Sequence, residues 1–334
     1  MAPLHVSRRS LLAAPVLAAP IIAPGLLVKT AAAAPEDFGL FLEGVRRDAL
    51  AAGIRAGTVD FALHYARFLP HVIELDRRQP ERVMSFAEYL DKIVTPQRIA
   101  DARRHLADNR RLLDGIFERY GVDPPVIVAL WGVETDFGKV TGNYWVVSSL
   151  ATLGYQGRRS FYFRHELIAA LRILDEGDVR ADRMLGSWAG AMGQCQFMPS
   201  TFLRYAVDYD GTGRRDIWGD RADVLASIAN FLARLGWRAG ESWGREVVLP
   251  GDFDPQLAGL ATRQPVAAWR RLGVRSGDGA ALPEEADEAS LVLPGGAGGP
   301  AYLVFNNFRV IMRWNRSTYF ATAVGSLIDD MARA

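Results

Sequence analysis

A chain of 334 residues, 49% hydrophobic and 23% charged, has the make-up of a folded protein of one large or two ordinary domains. Its 39 basic and 38 acidic residues balance, which gives no reason to expect a nucleic-acid partner; pieces such as Arg46-Arg47 and Arg103-Arg104 read as solvated helix faces. The one cysteine, Cys195, excludes an intramolecular disulfide.

In chain order, residues 1–34 read as an export signal. Ser7-Arg8-Arg9-Ser10-Leu11-Leu12 is a twin-arginine pattern, followed by an apolar stretch to Val28 and small residues at Ala31–Ala34. Pro15, Pro20 and Pro24 argue against a spanning helix, so the mature chain is expected to be soluble in the periplasm, with a retained signal anchor as the alternative. Residues 35–120 have the pattern of a helical lobe. Phe61, Tyr65, Phe68 and Leu69 recur at helical spacing before Pro70, and Thr95-Pro96-Gln97 opens a helix carrying Ile99, Leu106, Leu113 and Phe117.

The next helix opens at Asp123-Pro124-Pro125, a cap followed by prolines in the first turn, where missing amides cost nothing. It carries Glu134. Trp131, Leu130, Ile127 and Val126 precede Glu134 by three, four, seven and eight positions, which places the carboxylate on an apolar stripe near the expected helix stop at Gly138. A carboxyl against apolar surface resists ionising and can donate a proton near neutral pH, the chemistry of a glycosidase acid. A glutamate turned toward solvent is the alternative. Asp136, the nearest second acid, is two residues on and faces elsewhere, so no local nucleophile accompanies Glu134.

Short helices broken by glycine turns fill the rest of 121–240, ending on a run with Val224, Leu225, Ile228, Phe231, Leu232 and Leu235. Within it, Asp208-Tyr209-Asp210-Gly211-Thr212-Gly213-Arg214 resembles the start of an EF-hand loop, with oxygen side chains at positions one, three and five, and a backbone carbonyl at seven. A metal-free turn is the alternative. His64, His71, His105 and His165 have no metal-ligand spacing and read as packing or surface residues. Beyond Gly240, residues 245–250, 289–294 and 301–305 read as short strands of a mixed subdomain spanning 241–305. Residues 306–334 end on a helix after Ser317 that buries Phe320, Val324, Leu327, Ile328 and Met331.

Taken together, Gly132-Val133-Glu134-Thr135, Ser149-Leu150-Ala151-Thr152-Leu153, Arg158-Arg159, Gly186 to Gly193, Gln196-Phe197-Met198-Pro199-Ser200 and Asn315-Arg316-Ser317 resemble the lytic murein transglycosylases of the B type. The resemblance implies a mainly α fold: a lysozyme-like helical catalytic core, an extra helical lobe and a small inserted β subdomain. It implies Glu134 as sole acid and base, cleaving the MurNAc–GlcNAc bond of peptidoglycan without water to leave 1,6-anhydro ends. It assigns Tyr89, Arg158, Arg159, Ser187, Gln196 and Asn315 to saccharide binding, together with Phe231, Trp314 and Phe320, where relatives carry tyrosines. Rings there would still stack on sugar while the phenols are lost. No cofactor is required. A structural calcium would take Asp208, Asp210, Thr212, the Arg214 carbonyl and Asp223. Glycan strands are the expected partner, with other cell-wall enzymes as further ones. A hydrolytic muramidase and a non-catalytic peptidoglycan-binding scaffold remain as alternatives.

Overall fold

The computed structural model describes residues 36–78, 84–284 and 287–333, so the expected export signal lies outside the described residues. These form two compact units, one of residues 36–78, 93–239 and 327–333, the other of Met84–Lys92 and Gly240–Ser326. The expected contiguous segments need correcting. Met84–Lys92, inside the stretch read as the first helical lobe, belongs to the smaller unit, as do residues 306–326. Local pattern carries no sign of which distant strand a short helix will cover.

The larger unit is helical. Helix Val146–Gln156 packs on Ser160–Glu176, and helix Pro124–Thr135 packs against Pro96–Asp108, Arg110–Tyr120 and Arg221–Arg234. One two-stranded ribbon, Tyr144–Trp145 against Leu185–Gly186, interrupts the helices. Every residue from Val126 to Gly132 is buried, so Pro124–Thr135 is covered on all faces and does not carry the single apolar stripe its spacing suggested. Two further expectations need correcting. The helix from Thr95 stops at Asp108, because Asn109 turns its amide back onto the His105 carbonyl at 2.8 Å and a new helix starts at Arg110. Helix Ala56–His64 ends before Phe68, and Phe61 and Tyr65 stand 55% and 48% exposed.

The smaller unit is built on a five-stranded antiparallel sheet in the order Gln264–Pro265, Glu288–Val292, Ala301–Val304, Gly244–Val248, Arg275–Ser276. Leu303 pairs with Leu291 on one side and Arg245 on the other. The three expected strands are present within two residues. Ala301–Val304 is buried at each position, as a central strand covered on both faces must be, so no polar alternation marks it. Trp269, on helix Val266–Arg271, fills the core beside Val247, Leu291 and Phe305 and donates its indole N–H to the Ala289 carbonyl at 3.1 Å. Helix Asn306–Trp314 was not anticipated. No helix among the described residues is long and apolar enough to cross a membrane.

Candidate active site

Glu134 sits in the last turn of Pro124–Thr135 with 9% of its surface exposed. The helix ends three residues before Gly138 because Asp136 and Phe137 enter the left-handed region, at φ 49° and 58°. Their amides return to the carbonyls of Gly132 and Trp131 at 3.0 and 3.3 Å. This reversal folds the Phe137 ring over the helix, edge-on to Trp131 at 5.5 Å. A Cβ at position 132 would lie 2.6 Å from that ring, which is why a glycine precedes Glu134 by two residues.

The turn is braced by a residue the sequence reading missed. Gln194 accepts the Trp131 indole N–H at 2.9 Å through its side chain and the Thr135 hydroxyl at 3.0 Å through its carbonyl, and donates to the Trp218 carbonyl at 2.9 Å. It lies between the Gly186–Gly193 and Gln196–Ser200 motifs and belongs to neither. Cys195 beside it is fully buried. Burial, then the negative charge of Glu134, then that of Asp223, push its thiol well above the ordinary value, so the Glu134 carboxylate lies within electrostatic reach of this thiol.

Gln196 follows at φ 50°, an unusual backbone for a residue with a side chain. Its Nε2 donates to the carbonyls of Thr141 and Gly193 at 3.0 and 2.8 Å, while its buried Oε1 accepts from no donor among the described residues. Such an acceptor is costly to leave unused and suits a ligand hydroxyl or amide. Ser187 closes a tight turn: its amide donates to the Ala191 carbonyl at 2.8 Å and its Oγ accepts the Ala191 amide at 3.1 Å. Its hydroxyl proton and one lone pair remain for another group.

Asp136 is not a second free carboxylate. It pairs with Lys139 at 3.2 Å and with Arg98 at 3.8 Å. Glu166, 1% exposed, was also unanticipated. It accepts the Ser200 amide at 2.8 Å and hydroxyl at 2.7 Å, which assigns it to the start of helix Pro199–Tyr205.

The expected arginine pair is engaged within the protein. Arg158 bonds the buried Asp76, with its Nε 3.4 Å from Oδ2 and its amide 3.2 Å from the same oxygen. Arg159 lies over the rings of Tyr162 and Phe163, 5.5 and 5.1 Å from their centroids. Phe231 is 6% exposed and enclosed by Tyr205 and Phe197, at 4.8 and 5.9 Å between rings. The remaining expected residues stand in the smaller unit. Tyr89 is 5% exposed against Tyr319 at 5.7 Å, and Trp314 is half-buried. Asn315 accepts the Ser317 amide at 3.1 Å, a turn that leads into helix Thr318–Ala332. Phe320 is 1% exposed. The stacking faces expected at Phe231 and Phe320 are therefore packed away, because both rings stand at core-facing positions of helices.

In the acidic loop, one carboxylate oxygen each of Asp208, Asp210 and Asp223 lie within 4.8 Å of one another. Asp208 accepts the Thr212 and Gly213 amides at 2.9 and 2.7 Å; desolvation raises its pKa, but these amides and that of Gly211 outweigh it and hold it below the usual range. The Thr212 hydroxyl reaches the Arg214 carbonyl at 3.5 Å. Asp223, completely buried, accepts the Tyr209 and Asp216 amides at 2.7 Å each. Burial pushes it up to about 6 against the pull of those amides, and the like charges of Asp220 and Asp210 add to the rise. Three converging hard oxygen donors beside a hydroxyl and a carbonyl fit a calcium ion, which would relieve that repulsion. The histidines behave as packing or surface groups: His105 lies 4.9 Å from the Trp131 ring and 4.6 Å from Phe137, and burial lowers its pKa.

Comparison with known proteins bears on this geometry. The family model described as Transglycosylase SLT domain matches residues 37–329. Membrane-bound lytic murein transglycosylase B of Escherichia coli (strain K12) is 32% identical over 264 residues, covering 75% of this chain and 68% of that protein. SltB3 from Pseudomonas aeruginosa, solved in complex with NAG-NAM-pentapeptide, superposes with a TM-score of 0.87 at 46% identity, covering 90% of this chain and 81% of its own. The same protein has been solved with NAG-anhNAM-pentapeptide. The Escherichia coli lytic transglycosylase Slt35 in complex with calcium has a TM-score of 0.75 at 29% identity, covering 89% of this chain and 93% of its own. These neighbours share the mainly helical, lysozyme-like fold with its small antiparallel sheet.

Proposed function

Because the chain belongs to the Transglycosylase SLT domain family and is a lytic transglycosylase, we propose that Glu134 is its single acid and base, acting on peptidoglycan glycan strands. Glu134 protonates the oxygen between N-acetylmuramic acid and N-acetylglucosamine as the C1–O bond breaks. The carboxylate then takes the proton from the muramyl C6 hydroxyl as that oxygen bonds C1. A 1,6-anhydro ring forms and no water is consumed, so the acid is regenerated in one cycle.

The observation that carries the reading is the seat of Glu134: 9% exposed, on a helix covered on every face, with its neighbour Asp136 held in two ion pairs. A carboxyl held in one place and largely out of bulk water is the seat a general acid needs. The unused Gln196 Oε1 supports a substrate N–H or hydroxyl nearby. The presence of NAG-NAM and NAG-anhNAM pentapeptides on a 46% identical relative supports both substrate and product class. Arg158 and Arg159, already tied inward, act first as braces of the turn they occupy, and reach the peptide substituent with what charge remains exposed.

A structural calcium belongs to the Asp208 loop, the twin-arginine segment directs the enzyme to the periplasm, and other cell-wall enzymes are its partners there. Mass spectrometry of digested sacculi tests the chemistry. Muropeptides lighter by one water, absent with Glu134→Gln, are expected. Reducing ends would make the enzyme a hydrolase, and sacculus binding with no released product would make it a scaffold.

A further inference from the structure

Away from the Glu134 turn, the larger unit carries an open recess of about 720 Å³ whose wall includes Gly57, Thr58, Phe61, Gly177, Arg180 and Asp182. Its size falls in the range of small-ligand sites, roughly 300–1,000 Å³. Phe61 presents its ring to it, 55% exposed and propped at 5.1 Å by Tyr65, which is itself 48% exposed. The Phe61 ring thus leaves an apolar face open at the recess.

The polar groups around the ring are paired with one another. Arg180 and Asp182 form a two-point ion pair at 3.0 and 3.2 Å. Thr58 donates to Asp175 at 2.7 Å, and Arg55 donates to the same oxygen at 2.8 Å. The recess thus presents no net charge, which disfavours phosphate, anionic lipid or acidic peptide. The exposed carboxylate and guanidinium still have lone pairs and N–H groups to spare for neutral hydroxyls. A ring face flanked by planar hydrogen-bonding groups is what a pyranose requires, since its C–H face is apolar and its rim is hydroxylated. The space beside Gly57 and Gly177 is open, for a Cβ at either would meet nothing within 4 Å.

The recess is also connected to the expected saccharide contacts. Its rim carbonyl, Ala181, accepts the Trp145 indole N–H at 2.7 Å, and Trp145 pairs with Leu185 in the ribbon that leads directly into Ser187. We propose that this recess is an accessory saccharide subsite that holds an unsubstituted N-acetylhexosamine unit of a glycan strand. The inference rests on the reading of the enzyme as one that acts on such strands.

The test is an amide NMR titration of the full chain with the β-1,4-linked N-acetylglucosamine tetramer, which lacks the lactyl peptide. Saturable shifts are expected at Gly57, Gly177 and Ala181 in wild type and in Glu134→Gln alike. Phe61→Ala should weaken them about three- to tenfold by removing the ring. Gly57→Leu, which adds a bulky side chain at a helical position whose Cβ would meet nothing within 4 Å, should abolish them. Absence of saturable shifts at these amides up to about 10 mM tetramer, or shifts identical in both variants, overturns the subsite. Sacculus digestion without anhydro ends while the shifts persist would remove the role given to Glu134 and leave the subsite standing.

Discussion

Glu134 and Asp223 are carboxyl groups withdrawn from water in the same unit, at 9% and 0% exposure, yet their surroundings ask opposite things of them. Both oxygens of Asp223 are occupied by backbone amides at 2.7 Å, so the group ties two turns of a loop together. Glu166 is a third case, spent on the amide and hydroxyl of Ser200. Glu134 stands where a wholly apolar helix ends and the chain reverses, in a turn that Gln194 holds from outside. Burial alone does not mark an acid: Asp223 and Glu166 tie backbone turns together, whereas Glu134 ends a buried helix at a chain reversal.

The sharpest way to break this contrast is to remove each charge in turn. Glu134→Gln is expected to lower kcat on sacculi about 10²- to 10⁴-fold with an unchanged melting temperature. Asp223→Ala is expected to do the reverse. It leaves the Tyr209 and Asp216 amides without acceptors, at about 2–4 kcal/mol, and should lower the melting temperature by roughly 5–10 °C while the folded enzyme keeps its chemistry. A swap of these phenotypes between the two positions would collapse the distinction.

The acidic loop adds a pH dependence. In the metal-free protein the Asp223 pKa of about 6 lies above the ordinary value near 3.9, so folding favours its protonated form. That contribution is complete below about pH 4 and is lost as pH rises through about 6. Calcium takes the ionised form. Added at about 1 mM, it should raise the melting temperature by several degrees near pH 7.5 and have little effect near pH 5. An equal shift at both pH values would show that Asp223 is not a ligand. The smallest expected effect is Thr212→Asp. A fourth carboxylate at the loop position where a usual acid is missing should tighten calcium roughly tenfold with no change in turnover.

The start of the Glu134 helix was legible because Pro124 and Pro125 act locally, although the Asp123 side chain makes no cap bond there and accepts the Trp237 indole N–H at 2.8 Å. Its end was not, because the reversal at Asp136 and Phe137 depends on the Phe137 ring meeting Trp131 and Gly132 after the chain has folded. Strands 244–248, 288–292 and 301–304 could be read from branched residues between turns, whereas the helix after Phe305 puts Phe305, and neither of the two asparagines that follow, at its cap position. The motifs pointed to Glu134, Ser187 and Gln196, but not to Gln194, whose importance lies in bonds to residues 24 to 63 positions away. Phe231 and Phe320 had the right chemistry for sugar stacking and the wrong exposure, which only the packed structure reveals.

Digestion of sacculi in heavy-oxygen water tests the central claim most directly. If the Glu134 carboxyl alone carries the proton out and back while the muramyl C6 oxygen closes on C1, no heavy oxygen enters the released muropeptides. Heavy oxygen at muramyl C1 in the products would mean that water attacks there, and would contradict the account.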